Sequence, residues 1–184
     1  MARLAFCLDP GHGGRDPGAT AGGLRESDLT LAVALAVRRI LVPKYRVILI
    51  REEDTAVLLR ERVEIARRER ADAFVSIHAN AAAGPASSGY EVLVRRDPLP
   101  ESLVLAGTIL GQFAKRWPSK PNRGVRHREL AVLRQPIPSC LVECFFLSNP
   151  NDRLLLSSPR EQARIAEAIA WGCGNFARAI LPAV

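Results

Sequence analysis

Two of the three histidines in this 184-residue chain, His12 and His78, each follow a short apolar run. They lie in Asp9-Pro10-Gly11-His12-Gly13-Gly14 and Ser76-Ile77-His78-Ala79-Asn80. Imidazoles at such places suit a metal, and a hydrolytic zinc takes three protein ligands from His and carboxylate while keeping a fourth position open. Glu26 is the acid placed to complete the set. It stands at the start of the helix expected after the first strand, and the intervening loop returns the chain to the sheet edge from which His12 projects. Glu143 ends the otherwise apolar run Ser139-Cys140-Leu141-Val142. A carboxylate there is costly unless it is paired or has work to do, which makes it the candidate general base. Taken singly, each residue has a structural alternative: a histidine hydrogen-bonded among glycines, a first-turn acid favoured by the helix dipole, a glutamate paired with one of many arginines. The weight rests on four groups suited to one hydrolytic centre falling on one edge. His127, in Arg126-His127-Arg128, has no such placement and is expected to be solvated.

The elements that must carry these residues alternate along the chain. Leu4 to Leu8, Tyr45 to Ile50, Ala73 to Ile77, Tyr90 to Val94 and Cys140 to Cys144 are short apolar runs that read as buried strands. Between them fall helices over Leu29 to Val42, capped by Ser27 or Asp28, over Thr55 to Arg70 with Val57, Leu58, Val63 and Ile65 inward, and over Ser102 to Trp117. Pro159 to Ile180 reads as a closing helix. Pro10 to Gly23 is a long loop with six glycines, Lys120 to Arg128 a basic connector, and Ala131 to Leu133 a short extended piece before the turn at Gln135 to Pro138. This alternation predicts an α/β fold: one domain with a twisted, mostly parallel sheet of about six strands and helices on both faces. In such sheets ligands bind outside the carboxyl ends of the strands, where both histidines fall.

Length and composition set the outer limits. With 48% hydrophobic residues the chain is long enough for one sizeable core. No apolar stretch reaches the roughly 18 to 20 residues of a membrane span, and Met1-Ala2-Arg3 leads into a strand without the apolar region of a secretory signal. Cys7, Cys140, Cys144 and Cys173 form no Cys-x-x-Cys pair and read as buried small hydrophobes. The net charge of +7 comes from 23 arginines and three lysines, against 19 acids. Long-range attraction follows charge and not chemistry, so an anionic cell-wall polymer or membrane surface fits as well as nucleic acid. A nucleic-acid binder is disfavoured: the basic residues alternate with acids over helix faces, and only two Tyr and two Trp are available for stacking.

Several blocks occur in order: Leu8-Asp9-Pro10-Gly11-His12-Gly13-Gly14-x-Asp16-x-Gly18-Ala19, Glu26 with Asp28-Leu29, Arg51-x-x-Asp54, Leu59-x-x-Arg62, Ser76-Ile77-His78-Ala79-Asn80, Gly89-Tyr90-Glu91-Val92, Val132-Leu133-Arg134, and Leu141-Val142-Glu143-x-x-Phe146-Leu147-Ser148-Asn149. Together they resemble the zinc-dependent N-acetylmuramoyl-L-alanine amidases of the Amidase_3 type. The resemblance implies Zn2+ held by His12, Glu26 and His78, Glu143 as acid/base, and peptidoglycan as substrate, cut between the lactyl group of N-acetylmuramic acid and the first L-alanine of the stem peptide. Asn80, Arg134 and Arg51 are weaker candidates for touching substrate, with hydrogen bonding inside the sheet edge as the alternative. Two departures stand out. Phe145 occupies a place two residues after the base that is usually Gly, and Ser102 to Val132 is too short for the helical insert that occludes autoinhibited members. The expected enzyme is a monomer that is active without an activator. It is a phage endolysin, held in the host cytoplasm and then released to the wall, or a bacterial autolysin of the cell envelope. A stem-peptide carboxypeptidase is the enzymatic rival.

Overall fold

The computed structural model describes residues 3–180; Met1 and Ala2 lie outside the described residues. Among the described residues the central sheet has six strands in the order β4-β1-β5-β8-β6-β7. These are β1 (Ala5–Pro10), β4 (Arg46–Leu49), β5 (Ala73–Asn80), β6 (Tyr90–Val94), β7 (Asn122–His127) and β8 (Ser139–Phe146). Strands β4, β1, β5 and β8 run parallel, β6 pairs antiparallel with β8, and β7 runs parallel to β6. The expected α/β architecture is therefore present.

Successive strand residues point to opposite faces, and both faces are covered. Phe6, Leu8, Val75, Ile77, Val142 and Cys144 join one core, packed under α1 (Glu26–Leu41), α3 (Pro100–Arg116) and α5 (Pro159–Ile180). Cys7, Phe74, Leu93 and Leu141 join a second, under α2 (Leu59–Arg68) and a 3₁₀ turn at Ala131–Leu133. Two-sided burial explains why these strands read as unbroken apolar runs. All four cysteines are free and buried, with thiols pushed up chiefly by burial, so they pack as apolar groups. No described helix is long and apolar enough to cross a membrane.

Local corrections have local causes. The first helix starts at Glu26, not Leu29, and neither Ser27 nor Asp28 caps it. Its first-turn N–H groups are taken by the loop instead: Glu26 N donates to Ala19 O at 2.9 Å and Ser27 N to Pro17 O at 3.0 Å. The same loop folds into a small antiparallel hairpin, β2 (Thr20–Ala21) with β3 (Leu24–Arg25). Thr55 to Leu58 stays outside α2, whose start is tied by Glu61 Oε2 accepting from Leu58 N at 3.0 Å, and Leu58 is exposed instead of inward. The basic connector contains edge strand β7, stabilised by pairing with β6 that no local pattern announces. Ala131–Leu133 is a helical turn and not extended. A further helix, α4 (Pro150–Ser157), was legible in principle: Pro150 sits in its first turn, and the Asn149 side chain accepts from Asn151 N and Asp152 N.

Candidate metal centre and hydrolytic site

His12 leaves β1 in a left-handed conformation, φ 61°. Two buried arginines hold it there. Arg62 donates to His12 O at 2.7 Å and Pro10 O at 2.8 Å, and its charge is matched by Asp9, 2.6 Å away and itself bonded by Ser76 Oγ at 2.7 Å. Arg51 donates to Pro10 O, Gly11 O and Ser27 O at 3.1, 2.9 and 2.8 Å. The guanidinium of Arg51 is thus engaged by its own loop, which is the hydrogen-bonding alternative to a contact with substrate. Close approach also dictates two glycines. A Cβ on Gly11 would stand 2.3 Å from His78 Cε1, and one on Gly18, whose φ is +64°, would stand 2.6 Å from Glu26 Oε2.

These loops deliver three donors to one point. Glu26 Oε2 lies 3.1 Å from His12 Nε2, and Glu26 Oε1 lies 2.9 Å from His78 Nδ1. One ligand atom from each residue falls within 4.8 Å of the others. Donors around a tetrahedral zinc with bonds of about 2.0–2.1 Å are roughly 3.3 Å apart, and the two Glu26–imidazole separations are close to that value, so the chemistry and spacing of the set suit such an ion. The carboxylate is further aimed by Ala19 N and Ala79 N, at 2.9 and 3.0 Å. On the far side of the His12 ring, Asp16 Oδ2 takes Nδ1 at 2.8 Å, the outer-shell carboxylate that orients an imidazole ligand. Asp16, four residues from His12, was not assigned this role from sequence; the spacing was the available signal.

The protonation of the cluster follows from its geometry. Hydrogen bonding to Glu26, aided by Asp16, pushes His12 up to about 9. Burial works to raise Glu26, but the two imidazoles and the Ala19 N–H hold it well below the usual carboxylate range. Protons and a cation therefore compete for the same three groups.

Glu143 sits beside this cluster by strand register. His78 and Glu143 are partners across β5 and β8, and Glu143 and Glu91 are partners across β8 and β6, so the three side chains form a row on one face. Burial raises the Glu143 carboxyl to about 7, with His78 opposing and Glu26 and Glu91 adding to the rise. Its Oε2 is buried and has no protein hydrogen-bond partner among the described residues. A desolvated, unspent carboxylate next to three convergent ligands is the disposition of a general base. Immediately beyond it β8 carries one extra residue relative to β5, and Phe145 takes φ 69°. The backbone thus keeps the shape that glycine would adopt freely, while the Phe145 ring packs against Tyr90, Phe113 and Trp117 with centroids 5.8, 6.1 and 5.2 Å away.

A cleft of about 490 Å³ extends from His12 and His78 between α2 and the 3₁₀ turn, walled by Leu58, Leu59, Leu130 and Val132. Asn80 closes the row at the end of β5, donating to Glu91 Oε1 at 3.0 Å and accepting from Ala81 N at 2.8 Å. Arg134 is exposed after the 3₁₀ turn and pairs with Glu129 at 3.0 Å. His127 is exposed at the end of β7, and among the described residues its ring makes one hydrogen bond, with Arg96 O at 3.2 Å.

Comparison with known proteins finds the same fold and related sequences among amidases. The chain is 37% identical to the amidase AmiC2 of Nostoc punctiforme, with a TM-score of 0.90 over 95% of this chain and 97% of that one. An N-acetylmuramoyl-L-alanine amidase of Clostridium difficile 630 superposes with a TM-score of 0.94 at 29% identity, over 98% of this chain and all of that one. Among curated relatives, the endolysin of Bacillus phage SPP1 is 33% identical over 96% of this chain, and the sporulation-specific N-acetylmuramoyl-L-alanine amidase of Bacillus subtilis 36% identical over 79%. The chain spans 66% and 57% of the lengths of those two relatives. The Amidase_3 family, described as N-acetylmuramoyl-L-alanine amidase, matches residues 6–175, and the chain belongs to that family.

Proposed function

We propose that this chain hydrolyses the amide between the lactyl group of N-acetylmuramic acid and the L-alanine of the stem peptide in peptidoglycan. The observation that carries the reading is the placement of an unspent buried carboxylate, Glu143, in register with a ligand of the His12-Glu26-His78 cluster. In this reading those three residues hold Zn2+. When bound, zinc supplies a Lewis acid for the scissile carbonyl and lowers the pKa of water towards about 7. Glu143, ionised, takes the proton of the attacking water and returns it to the departing alanine nitrogen; its raised pKa suits it to both transfers near neutrality. Asp16 keeps the His12 ring oriented, and Arg51 and Arg62 keep the His12 loop from relaxing. Asn80 positions the row through Glu91, and Arg134, exposed directly after the 3₁₀ turn that walls the cleft, is the weaker candidate contact to substrate. The working unit is a monomer acting on the cell wall, as lytic or remodelling enzyme.

The test is digestion of purified peptidoglycan by zinc-loaded protein, followed by mass spectrometry. Intact stem peptides with a free L-alanine amino group, free of muramic acid, are expected, with loss of release on chelation and recovery with zinc. Shortened stems still attached to muramic acid would identify a carboxypeptidase and overturn the reading.

A further inference from the structure

The row that begins at His78 and passes through Glu143 and Glu91 does not end there. Glu91 is a buried carboxylate with three partners: Asn80, Arg123 and Arg126. Both arginines reach Glu91 Oε2 through Nε, each at 3.1 Å. Arg126 Nε also donates to Arg123 O at 3.1 Å, and the Arg123 guanidinium lies 4.9 Å over the Phe146 ring. Each guanidinium is therefore fixed through its inner nitrogen, while the terminal Nη1 and Nη2 groups have no protein partner among the described residues. Arg51 and Arg62 contrast with this, since their terminal groups are consumed by loop carbonyls. Two cations on one carboxylate also leave the cluster with an excess positive charge.

We infer that the free ends of Arg123 and Arg126 form a fork that receives a carboxylate of the substrate on the peptide side of the scissile amide. This rests on the amidase reading and deepens it. A guanidinium presents its two terminal N–H groups in the geometry of a carboxylate, and anchoring through Nε removes the rotamer entropy that binding would otherwise cost. Position selects the peptide side. Strands are about 4.8 Å apart, and both guanidiniums reach back from β7 to Glu91 on the strand next to Glu143, which puts the fork roughly 5–10 Å from the Glu143 strand. An extended peptide advances about 3.3–3.6 Å per residue, so the fork meets groups roughly one to three residues beyond the cut. The second stem residue, and in some stems the third, carries a free or amidated carboxylate, whereas the muramic acid has spent its lactyl carboxyl in the scissile amide. The cleft on the other side is walled by leucine and valine, with Arg15 as its exposed cation.

The experiment uses four muramoyl tripeptides with the second-residue carboxylate, the third-residue carboxylate, both or neither converted to carboxamide. Hydrolysis is followed with the parent protein, Arg123→Ala, Arg126→Ala and the double variant, each checked by circular dichroism for folding. Equilibrium binding of the free stem tripeptide is measured by calorimetry in parallel. The parent is expected to prefer one carboxylate over its carboxamide, and the arm that shows the preference names the residue read. Losing charge-assisted hydrogen bonds of this kind costs roughly tenfold to a hundredfold. The double variant should lose that factor in kcat/KM and in peptide affinity for the carboxylate form, with the preference collapsing. Arg126→Lys should recover only part, because it restores charge without the fork. An unchanged preference in the double variant, or one abolished instead by Arg15→Ala, overturns the inference while leaving the amidase reading intact. If no muramoyl peptide is cut but carboxylate-dependent tripeptide binding is lost in the variants, the fork stands and the amidase reading falls.

Discussion

Glu143 and the cluster beside it carry charges whose cost depends on pH, and the signs can be worked out. Burial raises the Glu143 carboxyl from its ordinary value to about 7. A raised folded pKa means that stability is fullest below the unfolded value and declines as pH rises through about 7. Glu143→Gln should therefore abolish most turnover, by roughly a hundredfold to ten-thousandfold, yet stabilise the metal-free protein at pH 8 by up to roughly 3 kcal/mol. Urea denaturation at pH 8 and pH 4 checks this, with no gain expected at pH 4. For activity the base must be ionised, so kcat/KM should fall as pH drops below about 7, and a bound cation would move that limb lower. His12, raised to about 9 by Glu26, is protonated at pH 7 in the metal-free protein. Zinc binding at pH 7 should release about one proton. Calorimetry in two buffers of different ionisation enthalpy reads the number directly, and zero release would mean that His12 is not displaced from its proton.

At the level of elements, the bulge after Glu143 sets two effects against each other. A non-glycine residue in the left-handed region costs on the order of 1–3 kcal/mol, whereas truncating a buried phenylalanine costs about 3–5 kcal/mol. Phe145 is fully buried among Tyr90, Phe113 and Trp117, so packing wins. Phe145→Gly should be less stable by roughly 1–3 kcal/mol in chemical denaturation and should keep the fold; a variant more stable than the parent would show that strain had been dominant. The Arg62–Asp9 pair couples α2 to β1 and to the backbone of His12. Arg62→Ala leaves Asp9 buried without its cation and should cost about 3–5 kcal/mol, with zinc affinity falling as well because the left-handed His12 turn loses its clamp. Thermal melts and competition with a zinc chelator measure the two losses separately.

Over the whole molecule the net charge of +7, the excess left after acids and bases cancel, acts at long range. Retention on anionic wall polymer should weaken steeply as salt rises from about 50 to 500 mM, because the screening length contracts from roughly 14 to 4 Å. Hydrolysis of a small neutral muramoyl peptide should respond far less over the same range. Equal salt sensitivity of both would show that the charge acts at the site and not in recruitment.

The short buried strands, the two histidines at their ends and Glu143 were legible because each is written in a few adjacent residues: an apolar run, then a polar residue that burial would otherwise forbid; Glu26 was legible only from its place at a helix start after a returning loop. Alternation of helix and strand was enough to fix the α/β class, since a parallel sheet requires crossovers and crossovers require helices. Local pattern failed where partners distant in sequence decide. Edge strand β7 exists through its register with β6, and the start of α1 is set by carbonyls of Ala19 and Pro17. The roles of the arginines were decided the same way. Arg51 and Arg62 turn inward to loop oxygens, while Arg123 and Arg126 are caught by Glu91 and keep their outer nitrogens free. Sequence names an arginine, but only the packed chain determines which of its five N–H donors are already taken.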